Sequence, residues 1–202
     1  ILLAPREPRS YNNLGKLLND LEKLNDARTL YDWTLLVDTT FTEAYTNLGK
    51  VLKELNKFDL AISKYKRSIM LTPNFVEALN GLGNVLHEIG KLQKAMASYK
   101  RALTIKSNLA EIHNNLGVTM QGFGRFNEAE DCYVQALKLE RNYPQAIQNI
   151  LDLLAIHTPK GNLVHPIVTV DSEIREIINQ IKFPELLSDE SVIQAYADAS
   201  DV

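Results

Sequence analysis

Apolar and small residues along this chain fall into paired helical stripes, and the pairing itself recurs. Within 42–75, Tyr45, Leu48, Gly49 and Leu52 follow one another at spacings of three and four, the signature of one helical face. A polar break comes at Asn56 and Lys57. A second stripe then carries Leu60, Ala61, Tyr65 and Ile69, and Pro73 closes it, as a proline just beyond a helix end does. The stretch predicts two helices joined by a short turn.

The same pattern returns every 34 residues. Leu14, Leu48, Leu82 and Leu116 stand at that period, each followed directly by Gly15, Gly49, Gly83 or Gly117. Ala27, Ala61, Ala95 and Ala129 form a third column, and Tyr31, Tyr65, Tyr99 and Tyr133 a fourth. Two apolar columns accompany them: Leu24, Phe58, Leu92 and Phe126, then Val37, Leu71, Ile105 and Leu139. A sustained period of this length marks a repeat architecture. The glycine and alanine columns predict helices crossing so closely that no larger side chain fits, with the tyrosine ring covering the neighbouring helix pair.

These columns resemble the tetratricopeptide repeat family, whose pattern sets an aromatic, Leu-Gly, Ala, an aromatic, Ala and Pro within one repeat. The match covers 8–41, 42–75, 76–109 and 110–143. Two family columns are loosely kept: the proline position reads Thr39, Pro73, Ser107 and Arg141, and the late alanine reads Thr34, Ser68, Ala102 and Ala136. The resemblance implies an all-α fold, a right-handed α-solenoid of antiparallel helix pairs whose first helices line a concave face.

Leu3 and Pro5 continue the columns of Val37 and Thr39 backward, so 1–7 reads as the end of a preceding repeat. Gln145, Ile147, Ile150, Leu151 and Leu154 continue them forward as an extra helix over 144–156. The chain opens on Ile1 and closes on Val202, and both ends read as lying inside a longer array or protein. Residues 157–202 leave the pattern: a loop over 157–162, an extended stretch at 167–170, a helix bearing Ile174, Ile177, Ile178 and Ile181, and a last helix capped by Ser188. They read as a cap on the solenoid, which needs a polar-faced end, or as the start of a further domain.

By the same resemblance, groove-facing positions supply Asn12, Asn13 and Lys16 in the first repeat, and Asn47 and Lys50 in the second. The third supplies Asn80, Gly81 and Asn84, and the fourth Asn114 and Asn115, with Asn149 beyond. One column reads Asn13, Asn47, Gly81, Asn115 and Asn149. A carboxamide both accepts and donates, so it can pair with the N–H and C=O of one peptide unit. A ladder of such groups would hold an extended polypeptide with little regard for its side chains. The Asn-Leu-Gly triplets resemble those in the superhelical arm of O-linked N-acetylglucosamine transferases, with Gly81 breaking the ladder. The family's other mode, a clamp on a C-terminal carboxylate, fits poorly: of Asn12, Lys16, Asn47, Glu77 and Gly81, only Asn47 suits it.

Composition narrows the rest. A net charge of −3 offers no basic footprint for nucleic acid. No apolar run is long enough for a membrane span. Cys132 is alone, so no intrachain disulfide forms, and a reducing, cytoplasmic setting is expected. His87, His113, His157 and His165 lack metal-ligand spacing, and Gly122-Phe123-Gly124 is an inter-helix turn, with no strand before it to make a phosphate loop. The expectation is a protein-interaction module without cofactor, metal or catalytic residues. Two alternatives are the substrate-recognition arm of a larger enzyme, such as a glycosyltransferase, and a self-assembling scaffold.

Overall fold

A computed structural model describes residues 7–157. The expected end of a preceding repeat and the expected C-terminal segment beyond His157 lie outside the described residues. Among the described residues every regular element is helical: α1 (Pro8–Asp20), α2 (Leu24–Val37), α3 (Thr42–Glu54), α4 (Phe58–Leu71), α5 (Val76–Glu88), α6 (Leu92–Ile105), α7 (Ala110–Gly122), α8 (Phe126–Leu139) and α9 (Pro144–His157). These are the helix pairs the 34-residue period predicts. Helices α1–α6 form one compact unit and α7–α9 a second, parted after Ser107. In the first unit each pair packs on the next through α2 on α3 and α4 on α5, and in the second α8 packs on α9.

The glycine and tyrosine columns explain each other. A Cβ built on Gly15 would stand 2.7 Å from the Tyr31 ring, and one on Gly83 or Gly117 would stand 2.5 Å from Tyr99 or Tyr133. Each ring therefore lies flat on the glycine of its own repeat, where any side chain would displace it. The alanines at 27, 61, 95 and 129 are fully buried beside these contacts. Burying one such ring contributes about 2–3 kcal/mol, and burial lifts the hydroxyls of Tyr31, Tyr65 and Tyr133 above their ordinary pKa of 10.0, with Tyr31 pushed up to about 12.

The turns inside the pairs form a column of their own. Glu22, Asn56, Gly90 and Gly124 all take a left-handed backbone, with φ of 58°, 57°, 73° and 70°. After each, the next amide reaches back five residues: Lys23 N to Leu18 O, Lys57 N to Leu52 O, Lys91 N to Leu86 O and Arg125 N to Met120 O. This closure satisfies carbonyls that a helix end leaves open.

Not every residue of the apolar columns is covered. Val37, Ile105 and Leu139 are 49%, 37% and 45% exposed. Each is the last residue of a second helix. Leu60, read as part of the second stripe, is half exposed because it stands on the outer side of α4, next to the buried Ala61.

Candidate functional site

The first helices of successive pairs lie side by side, α1 against α3 and α3 against α5 in the first unit, and α7 against α9 in the second. Their facing rows carry the asparagines singled out from the sequence. Those amides bond to one another across the repeat boundary. Asn47 Nδ2 donates to Asn12 Oδ1 at 3.0 Å, and Asn149 Nδ2 donates to Asn114 Oδ1 at 2.8 Å. The acceptor of each pair is buried, Asn12 at 1% exposure and Asn114 at 5%. The donor of each pair is only half-buried.

The structure thus sorts the predicted residues into two kinds. Asn12 and Asn114 are brackets beneath the surface, and the Nδ2 of Asn12 finds no partner in the described structure. Asn13 is exposed, while Asn47, Asn80, Asn115 and Asn149 are half-buried at the rim. Asn84 is engaged from below, its Oδ1 accepting the Tyr99 hydroxyl at 2.6 Å. Gln121 plays that part in the second unit, accepting from Tyr133 at 2.9 Å. Lys16 pairs with Glu43 at 3.6 Å, both well exposed, a contact of small energetic weight. Lys50 is exposed and makes no ion pair in the described structure.

The interruption at Gly81 also has a cause. Position five of the second repeat holds Thr46, whose hydroxyl bonds Ser68 Oγ at 2.7 Å and has no amide to offer the next helix. Across that boundary the Tyr65 ring, which also lies against Gly49 of its own repeat, reaches Gly81 and fills the space a Cβ there would take. The hydroxyl of Tyr65 is left without a hydrogen bond among the described residues. Thr46, Gly81 and Tyr65 form one substitution unit in place of an amide pair. Sequence reading found the gap at Gly81 but not Tyr65 filling it.

No cluster of three or more His, Cys, Asp and Glu residues suited to a metal occurs among the described residues. No described helix is long and apolar enough to cross a membrane. His113 and Cys132 are half-buried within α7 and α8.

Helix pairs repeating every 34 residues, with a polar first-helix face, define a helical-repeat protein of the interaction or scaffold class. Models described as tetratricopeptide repeat match 9–35 and 110–143, and one described as TPR repeat matches 49–90 and 83–122. Residues 9–143 therefore belong to the tetratricopeptide repeat family. No curated protein sequence gives a match. Among solved structures, one titled "Crystal structure of MamA" superposes with a TM-score of 0.63 at 28% identity, covering 68% of this chain and 81% of the other. MamA from Desulfovibrio magneticus RS-1, residues 41 to the end, gives 0.62 at 20% identity over 69% of this chain and 79% of the other. The likeness to transferase arms rests on the Asn-Leu-Gly triplets alone.

Proposed function

We propose that the first-helix face holds an extended segment of another protein, bound mainly through its backbone. The observation that carries this reading is the bracketed asparagine. Asn47 and Asn149 are each fixed by one N–H to a buried neighbour and are themselves half-buried, and each amide has an acceptor oxygen and a second N–H beyond that bond. A side chain held in place loses little rotamer freedom on binding, so its hydrogen bonds to a ligand are made at lower entropic cost. The exposed Asn13 and Lys50 flank Asn47 on the same row of helices. Because backbone groups are what an amide reads best, the partner is an unfolded or extended stretch rather than a folded surface.

The test is a pull-down from native lysate comparing the chain with an Asn13→Ala, Lys50→Ala variant. These two side chains are exposed and bonded to nothing described, so the variant keeps its fold. Loss of captured partners is the expected outcome; identical capture by both chains would move the binding to another face.

A further inference from the structure

The outer side of the first unit carries a charge that the fold does not require. Helix α6 bears Lys94, Lys100 and Arg101 and no acidic residue, with Lys91 just before it and Lys106 just after. Helix α4 bears Lys64, Lys66 and Arg67 against the single acid Asp59, with Lys57 just before it. Lys57, Lys66, Lys91, Lys94 and Lys100 are exposed and make no ion pair in the described structure. The chain as a whole has a formal charge of −3, so this band runs against the average.

Repeat symmetry shows that the charge is specific to these two helices. Lys66 and Lys100 stand where α2 has Asp32, and Lys94 stands where α2 has Asp26. Arg67 and Arg101 share their column with Trp33. Lys66 and Lys100, and likewise Arg67 and Arg101, sit at equivalent positions of adjacent repeats, and Lys94 shares its column with the exposed Leu60, so α4 and α6 carry these cations on their outer sides. The columns that pack each repeat are the glycines, alanines and tyrosines; these outer positions are free to vary.

The two guanidinium groups are also held in place. An Arg101 terminal nitrogen donates to the Pro73 carbonyl at 2.6 Å. Arg67 lies over the Tyr45 ring at 6.0 Å from its centroid, beside Lys64 at 5.9 Å. A guanidinium anchored through one edge keeps its other donors for a carboxylate and loses less freedom on binding than a loose lysine. Between the cations, Leu60 and Met70 are 50% and 71% exposed and offer apolar contact.

We propose that the outer face of α4 and α6 is a second docking surface, taken by a short acidic segment of a partner protein that carries leucine-like side chains among its carboxylates. The extent of the band selects this partner over larger polyanions. Asp26 and Asp32 bound it on the α2 side, so a lipid plane or a nucleic acid duplex laid across the unit would meet both acids. A segment confined to α4 and α6 would meet only Asp59, at the start of α4. Docking here leaves the first-helix face open.

The probe is a short fluorescent peptide of glutamates interrupted by leucines, with a glutamine version as control. Fluorescence anisotropy should show binding of the glutamate peptide to the chain, weakening steeply with salt, and no binding of the glutamine peptide. The Lys66→Glu, Lys94→Glu, Lys100→Glu variant should bind about tenfold or more weakly, since opposed charges become like charges, while circular dichroism and melting stay as in the parent. The Asn13→Ala, Lys50→Ala variant should bind as the parent does. Equal binding by the charge-reversed variant, equal binding of the glutamine peptide, or loss of binding in the Asn13/Lys50 variant would each overturn the proposal. So would tighter capture of anionic vesicles or duplex RNA than of the peptide.

Discussion

At Glu22 an acidic side chain occupies a left-handed turn that two later repeats give to glycine, and the cost of that choice is measurable. A residue with a Cβ is strained there by about 1–2 kcal/mol, partly offset by the smaller entropy its unfolded state has to lose. Glu22→Gly should therefore raise stability by about 0.5 kcal/mol, and Gly124→Ala should lower it by about 1 kcal/mol, both read from chemical denaturation midpoints. The close approaches behave in the opposite sense. A methyl on Gly83 would stand 2.5 Å from the Tyr99 ring, so Gly83→Ala should cost about 1–3 kcal/mol through overpacking. A melt unchanged in that variant would mean that the ring can move aside freely. The tight glycines were legible in the sequence because each answers a tyrosine of its own repeat. The turn column was not, since Glu22 and Asn56 carry no glycine to mark it.

The helix is the scale at which the asparagine contacts belong. Asn12 and Asn47 bond between α1 and α3, and a double-mutant cycle on their alanine variants should return a coupling of about 0.5–1.5 kcal/mol. Independent, additive losses would mean that the amides are solvated rather than paired. The sequence displayed these residues as adjacent columns on a helix but could not show which one is buried. That depends on how closely α1 and α3 approach. It also placed Val37 in an apolar column and Leu60 on a helical stripe without telling that both are about half exposed, because periodicity reports a stripe and not where the covering helix stops.

Across the molecule, the buried tyrosines couple the fold to alkaline pH. Tyr31, Tyr65, Tyr133 and Tyr143 all have hydroxyls raised above their ordinary value, burial being the first cause in each. Glu54 adds to the effect at Tyr31 and Tyr65, and Glu111 and Glu140 at Tyr143. Below pH 10 both folded and unfolded chains keep these phenols protonated, so they add no pH dependence. Above it the unfolded chain releases protons that the folded chain retains, and stability declines as pH rises toward 12 and beyond. Phenolate absorbance should lag behind that of free tyrosine and then rise together with loss of helical ellipticity. Ionisation at the free-tyrosine midpoint, with helicity intact, would show that the rings are open to solvent. The basic band on α4 and α6 enters at this scale too, as a local reversal of an acidic whole.

The substitution of Thr46, Tyr65 and Gly81 for an amide pair has a consequence for how such a chain can be edited. Its repeats share one length and one set of packing columns, so they look interchangeable, and a recombination event that removed 42–75 would leave every helix the right size. The seam it created would bring Asn12 against Gly81, an amide facing a residue with no side chain to answer it. Each repeat is matched to the neighbour it has, and the order of the repeats is therefore written into the molecule as firmly as their number.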